Sequence, residues 1–320
     1  MVAKTKQIKK ITTMKKIFIA ALVLAAASCA KNEVVNLNQE AIDFGNPFVE
    51  NSTRAAADPS FGKDANAITE FNVWGTANGV AIYTGQSVED TDSDGLWECG
   101  TKNYWVNGVT YNFAAVVNGN VTSLSNGLPA TISYTANGTS DLVYADKLGM
   151  VGQPAGSNVP VDLTFAHLLS KVKFTVETEM TAADYRYEVT GINITSAPAS
   201  GVYTVATKTW APDAATDGQA FDSITVNATN KKVECANEKL IIPTSTVSVA
   251  YKVALQIKNG QNWDTIWEDD KTSNPVTLNG VELAAGNAYN FTLTLNIGEE
   301  IKFSVDEDVK WTSNDPVTIQ

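Results

Sequence analysis

The chain has 320 residues, of which 44% are hydrophobic and 18% charged, a composition that supplies a packed core and excludes wholesale disorder. Its formal net charge is −12, and residues 55–320 alone carry 15 basic and 31 acidic side chains, a balance of −16. A body this acidic repels phosphate backbones, which argues against nucleic acid as a partner.

The first predicted element is an export signal within residues 14–29, MKKIFIAALVLAAASC. A basic start is followed by an apolar run over residues 17–27 and then by small residues, the pattern of a secretory signal peptide. The run has 11 residues, fewer than the roughly 20 that a helix needs to cross a bilayer. We predict a signal peptide over residues 1–28 and no transmembrane helix after it, with translation starting at Met1 or Met14.

The three cysteines have two different predicted roles. The sequence AASC, residues 26–29, resembles a bacterial lipobox, in which the cysteine takes a diacylglycerol before the signal is removed. We expect lipid on Cys29 to anchor the precursor, since buried acyl chains contribute about 0.8 kcal/mol per CH₂. The alternative is ordinary signal cleavage beside an incidental cysteine. Cys99 and Cys235 lie far apart in the sequence, which favours two free thiols over a disulfide.

Residues 29–54 form a short leader with two fragments in which apolar and polar residues alternate. Either fragment can pair as a strand, although turn residues interrupt both. The apolar positions are Val35 and Leu37, and Ile42 and Phe44. The leader ends at Arg54, one of two arginines against 21 lysines, in the small and polar segment ENSTRAAADPS (50–60). An arginine in such an open segment is a favoured protease site, and an ordinary loop arginine is the alternative.

From Ile68 onward the sequence predicts one strand after another. The clearest case is VSVAYKVALQIKNG (247–260), in which every second residue from Val249 to Ile257 is apolar. A period of two predicts one buried and one solvated face, as in antiparallel sandwiches. The same pattern recurs in YNFAAVVNG (111–119), KVKFTVET (171–178) and YNFTLTLNIG (289–298). Asn-Gly pairs, which favour tight hairpin turns, lie at 107–108, 118–119, 126–127, 137–138, 259–260 and 279–280.

The best internal break is residues 148–160, LGMVGQPAGSNVP, which are rich in Gly, Pro and Ser. It predicts an N-terminal domain over residues 55–160 and a C-terminal domain over residues 161–320, each of ordinary size. Long helical periodicity is missing from the sequence. We therefore predict an all-β fold with two antiparallel β-sandwich domains.

Few residues offer catalytic chemistry. His167 is the only histidine, so a Ser-His-Asp or Cys-His nucleophile would depend on it, and its apolar neighbours favour a packing or edge position. One histidine without a C-x-x-C motif does not make a typical zinc site, and no cofactor is indicated. The acidic run at 306–308 is best interpreted as a turn, because glycosidase chemistry needs two carboxylates facing across a cleft. We predict a protein that is not an enzyme.

A calcium site is the single metal candidate. The sequence EDTDSDGLWE places Asp90, Asp92 and Asp94 before a glycine, like the front of a calcium loop. A complete EF-hand needs a carboxylate at the twelfth position, where Thr101 stands. The alternative interpretation is a solvated hairpin loop.

Seven tryptophans allow either core packing or a surface on which sugars stack. They lie mostly in or beside predicted strands, where large rings fill sandwich cores. The second option would make the chain a lipid-anchored, cell-surface glycan-binding protein, with Trp97 or Trp105 contacting the sugar. The tryptophans are Trp74, Trp97, Trp105, Trp210, Trp263, Trp267 and Trp311.

The order of several segments after the lipobox resembles the fimbrillin family, the lipoprotein-derived subunits of Bacteroidetes-type type V pili. No single segment is specific, but together they cover nearly the whole chain. The segments are STRA (52–55), ITEFNVWG (68–75), YWVNGVTYNFAAV (104–116), LTFAHLLSKVKFTV (163–176) and VKWTSNDP (309–316).

The resemblance implies transthyretin-like folds for both sandwich domains and a precursor held in the outer membrane by lipid. It also implies that an arginine-specific protease removes the leader by cutting between Arg54 and Ala55. The opened subunit would polymerise by β-strand exchange with other copies of itself and other fimbrial subunits. The result is a cell-surface fimbrium that supports adhesion and biofilm formation, with a fimbrial tip adhesin as the alternative.

The donor strand is expected in the C-terminal segment, residues 299–320, where apolar residues alternate with polar ones. Filling a neighbour's groove with five such side chains would contribute roughly 7–15 kcal/mol before ordering costs, at 1.5–3 each. The donor candidates are Ile301, Phe303, Val305, Val317 and Ile319.

Overall fold

The computed structural model describes residues 40–49, 68–214 and 218–308. Within these ranges every helix or strand that forms is a β-strand, which confirms the all-β prediction. No helix in the described part of the chain is long and apolar enough to cross a membrane.

The described residues contain 22 strands. In chain order they are β1 (Phe48–Val49), β2 (Phe71–Ala77), β3 (Val80–Glu89), β4 (Glu98–Cys99), β5 (Thr110–Val117), β6 (Asn120–Ser125), β7 (Leu128–Thr135), β8 (Val143–Val151), β9 (Thr164–His167), β10 (Ser170–Glu177), β11 (Tyr185–Ile194), β12 (Ser200–Thr204), β13 (Thr209–Pro212), β14 (Gln219–Ala220), β15 (Ile224–Asn227), β16 (Lys232–Glu234), β17 (Lys239–Ile241), β18 (Val247–Asn259), β19 (Asn262–Asp270), β20 (Val276–Leu278), β21 (Ala288–Thr294) and β22 (Lys302–Asp308).

The strands form four sheets. The first half of the chain builds a seven-stranded sheet in the order β1-β9-β8-β5-β2-β3-β4. The second half builds a five-stranded sheet, β16-β10-β21-β22 with β17 beside β10, and a six-stranded sheet, β14-β11-β18-β19 with β15 beside β11 and β20 beside β18. A four-stranded sheet, β13-β12-β7-β6, joins the halves because β7 pairs with β12. Pairing is antiparallel except between β1 and β9 and between β10 and β21.

Three clusters of buried apolar side chains hold the sheets together. The first cluster belongs to the first half and is strongly aromatic, with Phe71, Tyr83 and Phe113 fully buried. The second cluster belongs to the second half, where the rings of Phe174 and Phe291 stack at 5.2 Å. The third cluster draws on both halves, so the halves share a core where β7 meets β12. Its members are Trp74, Val116, Ile132, Tyr134, Leu142, Leu168, Leu169, Tyr203, Leu240 and Ile242.

The strand predicted most clearly, β18, is buried on one face and partly buried on the other. Its apolar face packs into the second cluster as predicted. The opposite face is partly covered, because buried Gln256 accepts a hydrogen bond from Arg186 Nε at 2.6 Å and donates one to Glu188 at 3.0 Å. The Arg186 guanidinium lies 4.5 Å from the ring centroid of Trp263. The predicted solvated face is therefore wrong at Ala250, Ala254 and Gln256, which are buried, whereas Lys258 on the same face is exposed as predicted.

One of the predicted Asn-Gly pairs forms a two-residue hairpin turn. Asn126 and Gly127 have φ of 51° and 80°, as a two-residue type I′ turn requires, and they join β6 to β7. Asn78 and Gly79, which were not among the predicted turns, have φ of 47° and 80° and join β2 to β3.

Candidate functional site

The described part of the predicted leader, residues 40–49, is hydrogen-bonded into the first half of the chain, and we call it the leader strand. One edge bonds to residues 97–105, and the other bonds to residues 161–165, where β1 runs parallel to β9. The cleft between these two segments is named the leader groove. Bonds across it include Ile42 N to Asn103 O (2.8 Å), Phe44 N to Trp97 O (2.8 Å) and Val161 N to Asp43 O (2.8 Å).

Phe44 lies at the centre of the first apolar cluster. Its side chain is 0% exposed, and its ring centroid lies 5.8 Å from Phe71, 6.1 Å from Tyr83 and 5.8 Å from Phe113. Ile42, on the same face two residues earlier, is 2% exposed. Burying such a side chain contributes roughly 1.5–3 kcal/mol. The leader strand therefore supplies part of the core of the first half.

A buried tryptophan depends on the leader strand for its polar partner. Trp97 Nε1 donates to Asn46 Oδ1 at 2.9 Å, while its ring stacks on Phe71 at 5.6 Å. Trp97 is 7% exposed, so its N–H would lack this partner if the leader strand left. An unsatisfied buried donor costs about 1–3 kcal/mol.

The start of the leader strand is fixed by one carboxylate. Glu40 Oε1 accepts a hydrogen bond from Gly156 N at 2.8 Å, and Oε2 accepts from Asn158 Nδ2 at 2.6 Å and Asn158 N at 3.2 Å. These bonds, with the Asn158 side chain foremost, hold the pKa of Glu40 below its ordinary 4.5. The ionised carboxylate thus ties the leader strand to the loop that follows β8.

We expect Glu40→Gln to lower the melting temperature of the uncleaved protein at pH 7. The glutamine amide would turn an N–H₂ group toward donors that now share two carboxylate oxygens. Because the pKa of Glu40 is lowered on folding, its contribution is present at neutral pH and is lost as pH falls through the lowered pKa.

The melting-temperature gap between wild type and Glu40→Gln should therefore shrink from pH 7 to about pH 3, below the usual titration range of glutamate. The exposed Glu300 offers a matched control, and Glu300→Gln should leave the melting temperature nearly unchanged at both pH values. A gap of constant size across this range would contradict the role given to the carboxylate.

Five predicted site residues, Cys29, Arg54, Ala55, Val317 and Ile319, lie outside the described residues, as does the predicted signal peptide. Of the other three donor candidates, Ile301 lies immediately before β22, and Phe303 and Val305 lie within it. They pack against the second cluster, with the Phe303 ring 5.4 Å from that of Tyr251. Through its pairing with β21, β22 belongs to the five-stranded sheet of this same chain.

The three aspartates of the calcium prediction converge in the loop between β3 and β4. One carboxylate oxygen from each lies within 4.8 Å of the others. Asp90 accepts a hydrogen bond from Gly95 N at 3.3 Å, and Asp94 accepts one from Leu96 N at 2.8 Å. Two of the three carboxylates thus support the loop backbone, as the solvated-loop interpretation requires. The calcium site stays a prediction.

His167 is a buried member of β9, and its Nδ1 contacts a carboxylate oxygen of Asp141. The Asp141 backbone carbonyl also accepts from Asn118 Nδ2 at 2.8 Å, which holds the loop before β8 in place. The sequence analysis did not pair these residues, because Asp141 lies 26 positions earlier in an ordinary-looking loop. The predicted packing position for His167 agrees with its burial.

The two tryptophans named for sugar stacking, Trp97 and Trp105, are buried in the first cluster. Their rings pack on Phe71 and Tyr111, at 5.6 Å and 4.8 Å between centroids. Neither ring offers a free face to a sugar. Trp267 on β19 is 47% exposed, more than any other tryptophan among the described residues.

Cys99 and Cys235 are both buried and are not bonded to each other. Cys99 lies in the first cluster and Cys235 in the second, so the two thiols belong to separate cores. The free-thiol interpretation is confirmed for this pair.

Comparison with known proteins gives one family and several solved folds. The family model described as fimbrillin-like matches residues 53–306. No curated protein sequence matches the chain. A fimbrial protein from Bacteroides vulgatus is 16% identical, with a TM-score of 0.61 over 84% of this chain and 100% of that one.

A fimbrial assembly protein from Parabacteroides distasonis is 13% identical, with a TM-score of 0.44 over 87% of this chain and 100% of that one. At 16% identity the Bacteroides vulgatus structure supports the fold alone. The family model, in contrast, matches most of the chain, including all of the described strands except β1 and the last two residues of β22. The protein therefore belongs to the fimbrillin-like family.

Proposed function

We propose that the chain is a structural fimbrial subunit that is exported as a lipoprotein, cut after Arg54 and polymerised by β-strand exchange. The observation that carries this proposal is the position of Phe44, a leader residue at the centre of the first apolar cluster. A segment that is to be removed thus completes the core. Such an arrangement suits a precursor that must stay monomeric until a protease opens it.

Removing the leader strand would leave the leader groove open. The carbonyl of Asn103 and the N–H of Val161, among other backbone groups, would lose their partners, and the aromatic rings around Phe44 would meet water. An apolar groove lined with unpaired backbone groups favours β-augmentation by another strand. A strand from a second copy restores the lost bonds and covers the rings.

The donor in this proposal is the C-terminal segment of a neighbouring copy. Since β22 fills its own five-stranded sheet, Ile301, Phe303 and Val305 are already used within the chain. Val317 and Ile319, which follow β22, remain as the residues that enter the groove. Because the contact joins the tail of one copy to the groove of the next, it propagates into a fibre instead of closing.

The proposal places the mature protein in a cell-surface fimbrium, where it contacts other copies, other fimbrial subunits and a surface receptor. Lipid on Cys29 would hold the precursor in the outer membrane, and adhesion and biofilm formation would follow from the fibre. We also propose that the two predicted domains, residues 55–160 and 161–320, together form the subunit that repeats along it. The role is structural, with no catalytic step.

The second arginine of the chain is protected by the fold. Arg186 lies in β11, which is hydrogen-bonded to β15 on one edge and to β18 on the other. Its guanidinium stacks over Trp263 and donates to Gln256. A protease must bind its substrate as an extended, accessible segment, whereas the backbone of Arg186 is paired on both edges and its side chain is only partly exposed.

An arginine-specific protease should therefore cut the folded precursor once, giving a chain that begins at Ala55. Intact-mass measurement of the digest gives the mass of each product and so shows which arginine was cut. The same measurement on protein purified from the cell surface shows either lipid on Cys29 or a free Ala55 terminus. Heat-denatured precursor is the control, because both arginines become accessible and cleavage after Arg186 should appear. Early cleavage after Arg186 in the folded protein, with residue 54 uncut, would refute the proposal.

A further inference from the structure

The loop of residues 153–158 gathers three N–H donors on the Glu40 carboxylate. The loop holds this shape through bonds of its own. Gln153 N donates to Asn158 Oδ1 at 2.8 Å, and Asn158 Nδ2 also donates to Gln153 O at 3.2 Å. The first bond fixes the amide so that its N–H₂ group faces the carboxylate. Since neither bond involves the leader strand, the donors stay arranged for a carboxylate after the leader strand has gone.

The leader strand presents this carboxylate at a fixed spacing from its two buried anchors. Glu40 stands two residues before Ile42 and four before Phe44. In a strand, residues with this spacing share one face. The leader strand therefore presents a carboxylate to the loop 153–158 and two apolar side chains to the first cluster. A strand that replaces the leader needs the same pattern: an acidic residue, then apolar residues two and four positions later.

The sequence that follows β22, residues 309–320, has this pattern once. Its single acidic side chain is Asp315, which stands two residues before Val317 and four before Ile319. Residues 309–314 then connect β22 to the donor portion, and six extended residues span about 20 Å. That length allows β22 to stay in its own sheet while the donor portion reaches a neighbouring copy.

The backbone requirements of the groove also fit this register. Residues 42, 44 and 45 donate N–H bonds to the groove, whereas Ala41 donates none among the hydrogen bonds of the described residues. Proline has no N–H, so the position of Ala41 is where a strand tolerates it. Pro316 follows Asp315 and takes that position. A slip that moves Pro316 to the position of Ile42 would remove a required N–H bond, and a slip of one residue in either direction would turn the apolar side chains outward.

A second register is ruled out by the fold. Glu307, Val309 and Trp311 repeat the acidic and apolar spacing, but Glu307 belongs to β22 and pairs with Tyr289 in the chain's own sheet. Using this register would require β22 to leave that sheet.

We propose that the loop 153–158 is a carboxylate-recognition site that binds Asp315 of the neighbouring copy and so sets the register of the exchanged strand. Val317 then takes the place of Ile42, and Ile319 takes the place of Phe44. The inference rests on the proposed strand exchange and adds the residue pair that selects the register.

Capture of synthetic peptides by the cleaved precursor tests the proposal. The precursor is cut with an arginine-specific protease in the presence of labelled peptides of residues 309–320, and the bound peptide is measured by native mass spectrometry. Three peptides are compared: wild type, Asp315→Asn, and the double change Asn314→Asp with Asp315→Asn. The third has the charge of the wild type with the carboxylate moved by one residue, so it controls for net charge.

The wild-type peptide should bind about tenfold more tightly than either variant, because hydrogen bonds to a charged group are lost in both. In a precursor carrying Asn158→Asp, the preference for the wild-type peptide should disappear, as a double-mutant cycle requires for a direct contact. Equal capture of all three peptides would overturn the register site and leave strand exchange standing. Capture of none would overturn the donor assignment itself, and the register site with it.

Discussion

Replacing Phe44 with alanine is expected to lower the free energy of unfolding of the uncleaved precursor by about 3–5 kcal/mol, the usual cost of truncating a buried phenylalanine. The ring is fully buried and contacts Phe71, Tyr83 and Phe113, so its removal leaves a cavity that a packed aromatic cluster cannot close. Equilibrium denaturation in urea measures the loss as a lower midpoint. The variant should also bind a dye for exposed apolar surface more readily at intermediate urea concentrations.

The control for Phe44→Ala is Leu148→Ala, because Leu148 is 59% exposed and should cost less than about 0.5 kcal/mol. A second comparison separates precursor from product. In the proposed maturation residue 44 leaves with the leader, so a Phe44→Ala chain that survives to cleavage should yield mature protein of wild-type stability. A loss below about 1 kcal/mol in the precursor would mean that the leader strand is peripheral to the core.

The strands were predictable because their signal is local. The alternation of apolar and polar residues from Val249 to Ile257 lies within one short segment. The Asn126-Gly127 turn likewise needs only two neighbouring residues in the left-handed region. The fragment with Ile42 and Phe44 was predicted to pair as a strand for the same reason, because its apolar residues alternate with polar ones. Local pattern also misleads, as in β18, where side chains from neighbouring strands cover part of a face that the sequence alone makes polar.

The partners of the leader strand could not be predicted, because they depend on contacts between distant residues. Glu40 meets Asn158 at a separation of 118 residues, and Asn46 meets Trp97 at a separation of 51. Neither asparagine has a sequence feature that distinguishes it from the many others in turns. The partner of β22 could not be predicted either. Its alternating apolar residues predict a strand equally well whether it pairs with its own sheet or with a neighbour's.

Arg54→Ala is expected to abolish fibre formation while leaving the precursor folded and soluble. An arginine-specific protease recognises the guanidinium, and alanine offers no charge or hydrogen-bond donor in its place. The leader strand then stays covalently attached in the leader groove, where it is bonded on both edges and anchored by Phe44. An incoming strand must compete with a segment that is always present at high effective concentration, so exchange is suppressed.

To measure this effect, wild type and Arg54→Ala are incubated with the protease, and the samples are run on an SDS gel without boiling. A ladder of multimers is expected for wild type and no ladder for Arg54→Ala. Arg186→Lys is the matched control: it removes the other arginine, keeps the charge and should still give the ladder. Inserting the recognition site of an unrelated protease at residue 54 should restore polymerisation when that protease is added. If Arg54→Ala forms the ladder as wild type does, opening the groove cannot be the step that starts assembly. The attached leader would then be a permanent strand of the subunit, and a different surface would join the copies.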